Sequence, residues 1–294
     1  MLRLLHVPAR MWVVLACAAT LALVLWPATG GLGVAAATLL ALTLVLHGAV
    51  VPGSPFLLPS VRRGPRTGRR VSLTFDDGPH PVFTPRVLEV LARHGAHATF
   101  FLIGRWASAH PDLVRRIVAE GHTVGSHTHT HPRNAAILPP RRIAREIREG
   151  MRAIADATGH LPRLYRQPMG VVNRWIGPAL REAGVTLVAW SRHAHDNRPR
   201  PDAAAEAERL AARLRPGDIV CLHDGDDRDP GGAECARRRT YSLAVLQALL
   251  PAMARGGLSS VPVEELIGAG PSLLGDAGPQ APHAPAESAT GGGG

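Results

Sequence analysis

Residues 71–79 read VSLTFDDGP, and this stretch decides the fold class. Its first residues are rich in β-formers and predict a strand, while Gly78-Pro79 predicts a turn directly after it. Between them stand two carboxylates, Asp76 and Asp77. Neighbouring side chains on a regular strand point to opposite faces, but at a strand end before Gly-Pro both can converge on one small site. The alternative is an ordinary surface turn, for which Asp-Gly-Pro is typical chemistry.

Beyond this stretch, short β-rich runs alternate with amphipathic segments of helical period. We predict strands at 71–77, 97–104, 122–127, 163–168, 186–190 and 218–224. We predict helices near 84–94, 106–120, 139–158, 174–183, 203–214 and 241–255. Such alternation predicts a mainly parallel sheet covered by helices, either an α/β barrel or a doubly wound sheet. In both, ligands bind at the carboxyl ends of the strands.

The N-terminal part has a different composition, because no Asp, Glu, Lys or Arg occurs from Met11 to Val61. Two apolar runs, 11–28 and 32–51, are each close to the roughly 20 residues that span a bilayer. We therefore predict two transmembrane helices that precede the α/β domain. One long signal-anchor with an interfacial stretch is the main alternative, and a cleaved signal peptide would have a shorter apolar region.

Arginines flank both apolar runs, whereas the turn between them is uncharged. The positive-inside rule then predicts a multi-pass protein of the bacterial inner membrane with its large domain on the cytoplasmic side. We place the anchor and a basic linker in residues 1–70 and the domain in residues 71–268. The remaining residues, 269–294, are rich in Gly, Pro and Ala and predict a disordered tail.

The net charge is +10, and all residues counted as Lys or Arg are arginines. The arginines are scattered over helical stretches without interleaved aromatic residues, so we expect no nucleic-acid partner and instead solvated helix faces and lipid contacts. Three cysteines without framework spacing argue against a disulfide scaffold, and Cys221 falls in a predicted buried strand.

A second polar motif, HTHTH at 127–131, follows the third predicted strand. In a helical turn or tight loop His127 and His131 share a face, so both can bind one metal ion. Two histidines and one carboxylate leave positions open for water and substrate, as in catalytic sites. We expect His129 to point elsewhere. A His-rich loop without a ligand is the alternative.

The two motifs together resemble the NodB-type polysaccharide deacetylases, carbohydrate esterase family 4. TFDDGP at 74–79 is similar to that family's first motif, and His127-Thr128 with His131 to its His-[Ser/Thr]-x-x-His motif. The resemblance runs from about Val71 to Asp224. It implies a distorted (β/α) barrel and a divalent metal, usually zinc, held by Asp77, His127 and His131.

The segment Arg166-Gln167-Pro168-Met169-Gly170 resembles the third motif of the family, where Tyr commonly stands in place of Met169. The resemblance implies that Pro168 and Met169 border the sugar site and that the Met169 N–H contacts the oxyanion. Arg166 would lie beside Asp76 and hold it ionised.

The segment from Trp190 to Asp196 resembles the fourth motif of the family, although His193 and Asn197 stand where Asp and Trp are usual. The resemblance implies that Asp196 orients a catalytic imidazole and that Trp190 contacts substrate. Leu222-His223-Asp224 resembles the fifth motif, with Leu222 as a wall for the acyl methyl and His223 as general acid. Just beyond, we expect Asp226, Asp227 and Asp229 to be solvated loop charges.

The implied reaction is metal-dependent removal of an N-acyl group, with Asp76 as the base, from an amino-sugar in a glycan or glycolipid. A domain that faces inward suits a lipid-linked sugar, so a deformylase or deacetylase of an undecaprenyl-linked precursor is one alternative. An inactive, membrane-tethered sugar-binding module is another, supported by the altered fourth motif.

Overall fold

The computed structural model describes residue 20 and residues 31–50, 58–172, 176–227 and 231–268. A 20-residue helix, α1 (Gly31–Val50), coincides with the second predicted apolar span. Within the described part of the chain, no helix is both long and apolar enough to cross a membrane. The first predicted span, apart from Thr20, and the predicted tail 269–294 lie outside the described residues.

The centre of the domain is a sheet in which every paired strand is parallel to its neighbour. Its strands are β1 (Arg70–Asp76), β2 (Ala98–Leu102), β3 (Thr123–Ser126), β4 (Leu164–Tyr165), β5 (Thr186–Leu187), β6 (Arg192–His193), β7 (Ile219–His223) and β8 (Ser259–Ser260). The order across the sheet is β5-β4-β3-β2-β1-β7-β6, and β8 pairs with β1. The register places Asp76 at the end of β1 directly beside His223 at the end of β7.

Helices cover the outer face of this sheet. They are α2 (Phe83–Arg93), α3 (Gly104–Ala109), α4 (Pro111–Ala119), α5 (Pro140–Thr158), α6 (Ile176–Glu182), α7 (Ala203–Arg213) and α8 (Ala233–Arg255). The short helix α9 (Val263–Ile267) packs against the inner face instead. Pro111 and Pro140 each occupy a first helical position, where the missing N–H has no intrahelical partner to lose. The predicted helix 106–120 is two helices, because the chain breaks at His110 before Pro111. The last long helix begins at Ala233, earlier than the predicted 241.

Side chains alternate between the two faces of the strands, as the two-residue period of a strand requires. On β1 and β7, Leu73, Phe75, Val220 and Leu222 belong to the main core under the helices. A separate cluster on the inner face includes Phe101 with residues from β4, β7 and α9. The inner face near the strand ends carries polar side chains instead, and these form the site described below.

A segment before β1 crosses the open side of the curled sheet. The Val61 N–H donates to the Leu187 carbonyl at 2.8 Å, and Val61 accepts from the Ala189 N–H at the same distance. Three residues further on, the Gly64 N–H donates to the Gly217 carbonyl at 2.8 Å, just before β7. Residues 58–64, which lie in the predicted linker, thus bridge from the β5 edge to the β7 side. The result is a curled parallel half-barrel. Of the two predicted architectures, the structure therefore has the barrel and not the doubly wound sheet.

Candidate active site

A cavity of about 370 Å³ opens at the carboxyl edge of the sheet. This volume falls within the roughly 300–1,000 Å³ of small-molecule sites. The cavity is lined by Asp76, Asp77, His127, His131, Arg133, Gln167, Met169, Trp190, His193, Asn197, Arg198, Cys221, His223, Asp226, Asp227 and Arg238. The predicted motifs at the ends of β1, β3 and β7 therefore meet in one place.

Asp77, His127 and His131 lie close enough to hold one metal ion between them. The Asp77 Oδ1 atom is 3.6 Å from His127 Nε2 and 3.4 Å from His131 Nε2. All three side chains are buried, and Asp77 Oδ1 has no hydrogen-bond partner among the described residues. A buried carboxylate oxygen without a donor, facing two imidazole nitrogens, fits a divalent cation such as zinc.

The other nitrogen of each histidine ring also has a neighbour. The His127 Nδ1–H donates to the Arg166 carbonyl at 2.8 Å, which leaves the Nε2 lone pair facing Asp77. The His131 Nδ1 lies 3.2 Å from Asp227 Oδ2. Such outer contacts fix the tautomer and orientation of metal-binding histidines. Burial, partly opposed by Asp76, lowers the pKa of His127 to about 4, so this ring is neutral at pH 7, as a ligand must be.

The backbone around this group is in an unusual conformation. Asp77 and His131 have φ angles of 71° and 55°, in the left-handed region that non-glycine residues rarely adopt. Gly225 allows the loop after β7 to pass beneath Asp77, because a Cβ atom there would lie 2.0 Å from the Asp77 carbonyl oxygen. Strain and close approach at one point are typical of functional sites.

Asp76 faces the same cavity and is paired with a buried arginine. The Arg166 NH1 donates to Asp76 Oδ1 at 2.7 Å, and both side chains are nearly inaccessible to solvent. Burial raises the pKa of Asp76, but the Arg166 guanidinium, aided by His127 and His223, outweighs burial and holds the pKa below its ordinary value. Arg166 therefore serves both halves of the site, since its carbonyl orients His127 and its side chain keeps Asp76 ionised.

His223 is oriented by Asp196, which is fully buried behind it. The His223 Nδ1–H donates to Asp196 Oδ1 at 2.9 Å, and the His223 backbone N–H donates to Asp196 Oδ2 at 2.8 Å. Burial lowers the pKa of His223, but the Asp196 carboxylate outweighs burial and raises it above its ordinary value. The structure thus sets an ionised carboxylate, Asp76, beside an imidazole with an increased affinity for a proton.

The remaining predicted residues take different positions. Trp190 lines the cavity, and Met169 lies at its rim with 49% of its surface exposed. Pro168 is buried behind Met169, within the short 3₁₀ turn Pro168–Gly170. Leu222 lies on the opposite face of β7, within the main core, so it does not form the expected wall for the acyl group. Because side chains alternate along the strand, the residue of β7 that faces the cavity there is Cys221.

The expectation that Asp226 and Asp227 are solvated charges is wrong. Asp226 is 4% exposed. Asp227 contacts His131 and also pairs with Arg133 at 3.1 Å. Asp229 lies outside the described residues. His129, between the two predicted ligands, is partly buried and is absent from the metal-binding group within the described chain.

Sequence reasoning missed two further residues that touch the site. The Cys221 thiol donates to Asp76 Oδ2 at 3.5 Å, and burial, with Asp76, raises the pKa of this thiol well above its ordinary value. Arg239, on α8, is buried and donates to the Asn197 amide oxygen. No local motif marks Arg239, because it reaches the site from a helix that is distant in sequence.

Fold and site together define a hydrolase of the curled α/β barrel class. Residues 63–188 match the family model of the polysaccharide deacetylases. A chitooligosaccharide deacetylase of Sinorhizobium fredii is 42% identical over 67% of this chain and 92% of its own length. A peptidoglycan-N-acetylglucosamine deacetylase of Bacillus cereus is 33% identical over 69% of this chain and 90% of its own length.

Among solved structures, the Bc1960 peptidoglycan N-acetylglucosamine deacetylase is similar with a TM-score of 0.63 and 27% identity. The match covers 72% of this chain and 94% of that protein. The chain belongs to the polysaccharide deacetylases of carbohydrate esterase family 4 and is a hydrolase of that family.

Proposed function

We propose that this protein removes the N-acetyl group from an amino-sugar in a glycan or glycolipid by metal-dependent hydrolysis. The observation that carries the proposal is the arrangement in one cavity of a His–His–Asp group, an ionised carboxylate and a carboxylate-oriented imidazole. The relatives named for deacetylation of chitooligosaccharides and of peptidoglycan support the choice of bond and of sugar class.

An amide resists attack by water, so the site must activate water, stabilise the oxyanion and protonate the amine. A divalent ion, which we take to be zinc, would be held by Asp77, His127 and His131 and would supply Lewis acidity toward the acyl oxygen and water. Asp76 accepts the proton from the attacking water at a carboxylate oxygen, since Arg166 keeps it ionised.

His223 delivers a proton from Nε2 to the departing amine, and Asp196 stabilises the imidazolium from which the proton comes. We assign the Met169 N–H to the developing oxyanion. A well-placed donor of this kind contributes roughly 3–4 kcal/mol to transition-state stabilisation. Trp190 and the Met169 side chain then border the sugar at the mouth of the cavity.

We further propose that the N-terminal part tethers the domain to the inner membrane, with the site on the cytoplasmic side. The charge-free stretch from Met11 to Val61 and the arginines after it support this arrangement. An undecaprenyl-linked amino-sugar is then the substrate to compare with soluble chitooligosaccharides. A reporter fused after Gly268 that reads out as periplasmic would refute the orientation.

The test of the reaction is release of acetate or formate by the full-length, zinc-loaded protein from chitooligosaccharide, peptidoglycan and a lipid-linked amino-sugar. Asp76→Asn should retain zinc and lose hydrolysis, whereas His127→Ala should lose zinc. His129→Ala is the matched control from the same loop and should retain zinc. Near-normal turnover by Asp76→Asn would refute the assignment of the base.

Zinc binding without acyl release from any of the three substrates would refute hydrolysis and favour a sugar-binding module.

A further inference from the structure

His223 belongs to a closed ring of polar contacts that goes beyond its pair with Asp196. The Asn197 Nδ2 atom lies 3.0 Å from His223 Nε2. On its other side, the Asn197 Oδ1 atom accepts from Arg239 NH2. The Arg239 NH1 atom lies 3.8 Å from Asp196 Oδ2, which completes the ring.

The donors and acceptors of this ring permit a single arrangement of protons. A guanidinium only donates hydrogen bonds, so the oxygen of the Asn197 amide must face Arg239. Its NH₂ group therefore faces His223 and donates, and His223 Nε2 must accept. The remaining ring proton is then on Nδ1, where it meets the Asp196 carboxylate at 2.9 Å. In this arrangement His223 is the neutral Nδ1–H tautomer with a capped Nε2 lone pair, so Asn197 acts against the rise in the pKa of His223 that Asp196 causes.

This arrangement conflicts with proton delivery from the same atom. A proton on Nε2 would face the N–H of Asn197, and the Asn197 amide cannot turn over because Arg239 donates to its oxygen. The Asn197 side chain is exposed and lines the cavity, so it has room to leave.

We propose that Asn197, held by Arg239, is a positioning residue that caps His223 Nε2 in the free enzyme and is displaced when substrate enters the cavity. The inference rests on the proposed role of His223 as proton donor to the amine. It also gives a function to one departure from the family pattern, since the Trp usual at this position has an N–H but no oxygen for Arg239 to bind.

The charged and titratable groups around His223 come from four elements. Asp196 and His193 lie on the β6 side, Asp76 ends β1 and Asp77 follows it, Cys221 lies on β7, and Arg239 comes from α8. All of them remain when Asn197 is replaced. A change in the behaviour of His223 in such a variant therefore reports the loss of the cap.

The test uses Asn197→Ala in the full-length, zinc-loaded protein. NMR of labelled histidine in the substrate-free protein should show the pKa of His223 raised by about one unit, because a hydrogen bond to the neutral form shifts protonation roughly tenfold. Asn197→Asp should raise it further, since a carboxylate accepts from Nε2–H. Asn134→Ala, at an exposed turn, is the matched control and should leave the pKa unchanged.

The pH dependence of turnover then separates capping from general structural damage. The profile of kcat/KM reports the free enzyme and that of kcat the substrate complex. The alkaline limb of kcat/KM should move up by the same unit in Asn197→Ala, while the limb of kcat stays in place. Equal movement of both limbs would refute displacement by substrate, and an unchanged pKa by NMR would refute the cap.

The NMR measurement needs no turnover. A shifted His223 pKa in a protein that releases no acyl group would therefore refute the proposed reaction and leave the cap supported.

Discussion

Replacing Arg166 with Met removes the buried guanidinium that neutralises Asp76 at the cavity. Arg166 is fully buried, and its NH1 donates to Asp76 Oδ1 and to Thr74 Oγ1, each at 2.7 Å. Its guanidinium also lies 4.0 Å above the Phe101 ring. Methionine is flexible and apolar and fills much of the same space, but it has neither charge nor donor. The Asp76 carboxylate is then buried without its counter-ion.

Removal of one partner from a buried ion pair destabilises a protein by about 3–5 kcal/mol. For a domain of this size each kcal/mol lowers Tm by about 2–4 °C, so the expected loss is roughly 6–20 °C. The pH dependence should also change sign. In the wild type the depressed pKa of Asp76 stabilises the fold above the ordinary value of 3.8, and this stability is lost as pH falls through the depressed pKa. In Arg166→Met burial acts without the arginine, so stability should instead fall as pH rises through the elevated pKa.

The assay is urea unfolding of the metal-free wild type and Arg166→Met, measured from below pH 3.8 up to pH 7. Arg166→Met/Asp76→Asn should recover part of the lost stability at pH 7, because no unpaired carboxylate remains. Arg152→Met, on the exposed side of α5, is the matched control and should cost less than about 0.5 kcal/mol. The reasoning is refuted if Arg166→Met costs no more than this control, or if adding Asp76→Asn lowers stability further.

Two further changes test the surroundings of the site. Asp227→Asn should weaken zinc binding by about 10–100-fold, because the carboxylate beside His131 Nδ1 is lost, and competition with a chromophoric chelator measures this. The exposed Asp112→Asn serves as control, and equal zinc affinities would contradict the role of Asp227. Burial, opposed by the Thr84 hydroxyl, raises the pKa of Asp224 from 3.8 to about 7. Between these two pH values the folded state keeps a proton on Asp224 that the unfolded state has released. This group should make stability fall as pH rises across that interval, and Asp224→Asn should flatten the curve; parallel urea-unfolding curves for the two proteins would count against it.

The sequence predicted the main strands and the site at their carboxyl ends because both depend on local patterns. VSLTFDDGP and HTHTH each combine a strand with the polar residues that end it, and a parallel sheet brings such ends to one edge. Asp77, His127 and His131 accordingly lie together. β6 and β8 were not predicted, since each has only two residues and shows no alternation.

The partners of the site residues could not be predicted in the same way. Asp227 sits in a loop with other acidic residues, and nothing local distinguishes it from a solvated charge. Arg239 meets Asn197 across 42 positions of sequence, so only the packing of α8 brings them together. Leu222 was assigned to the wrong face, although the two-residue period of a strand, counted from His223, places Leu222 in the core and Cys221 toward the cavity.

The bridge formed by residues 58–64 determines where the folded unit can be cut. A fragment that begins at Val71, the predicted domain boundary, would leave the β5 edge and the Gly217 carbonyl without the hydrogen bonds that Val61 and Gly64 supply. It would also open a gap in the barrel wall next to Val188, whose main chain passes under Arg166. A recombinant fragment intended for crystallisation should therefore start no later than Leu58, so that the barrel retains its closing segment.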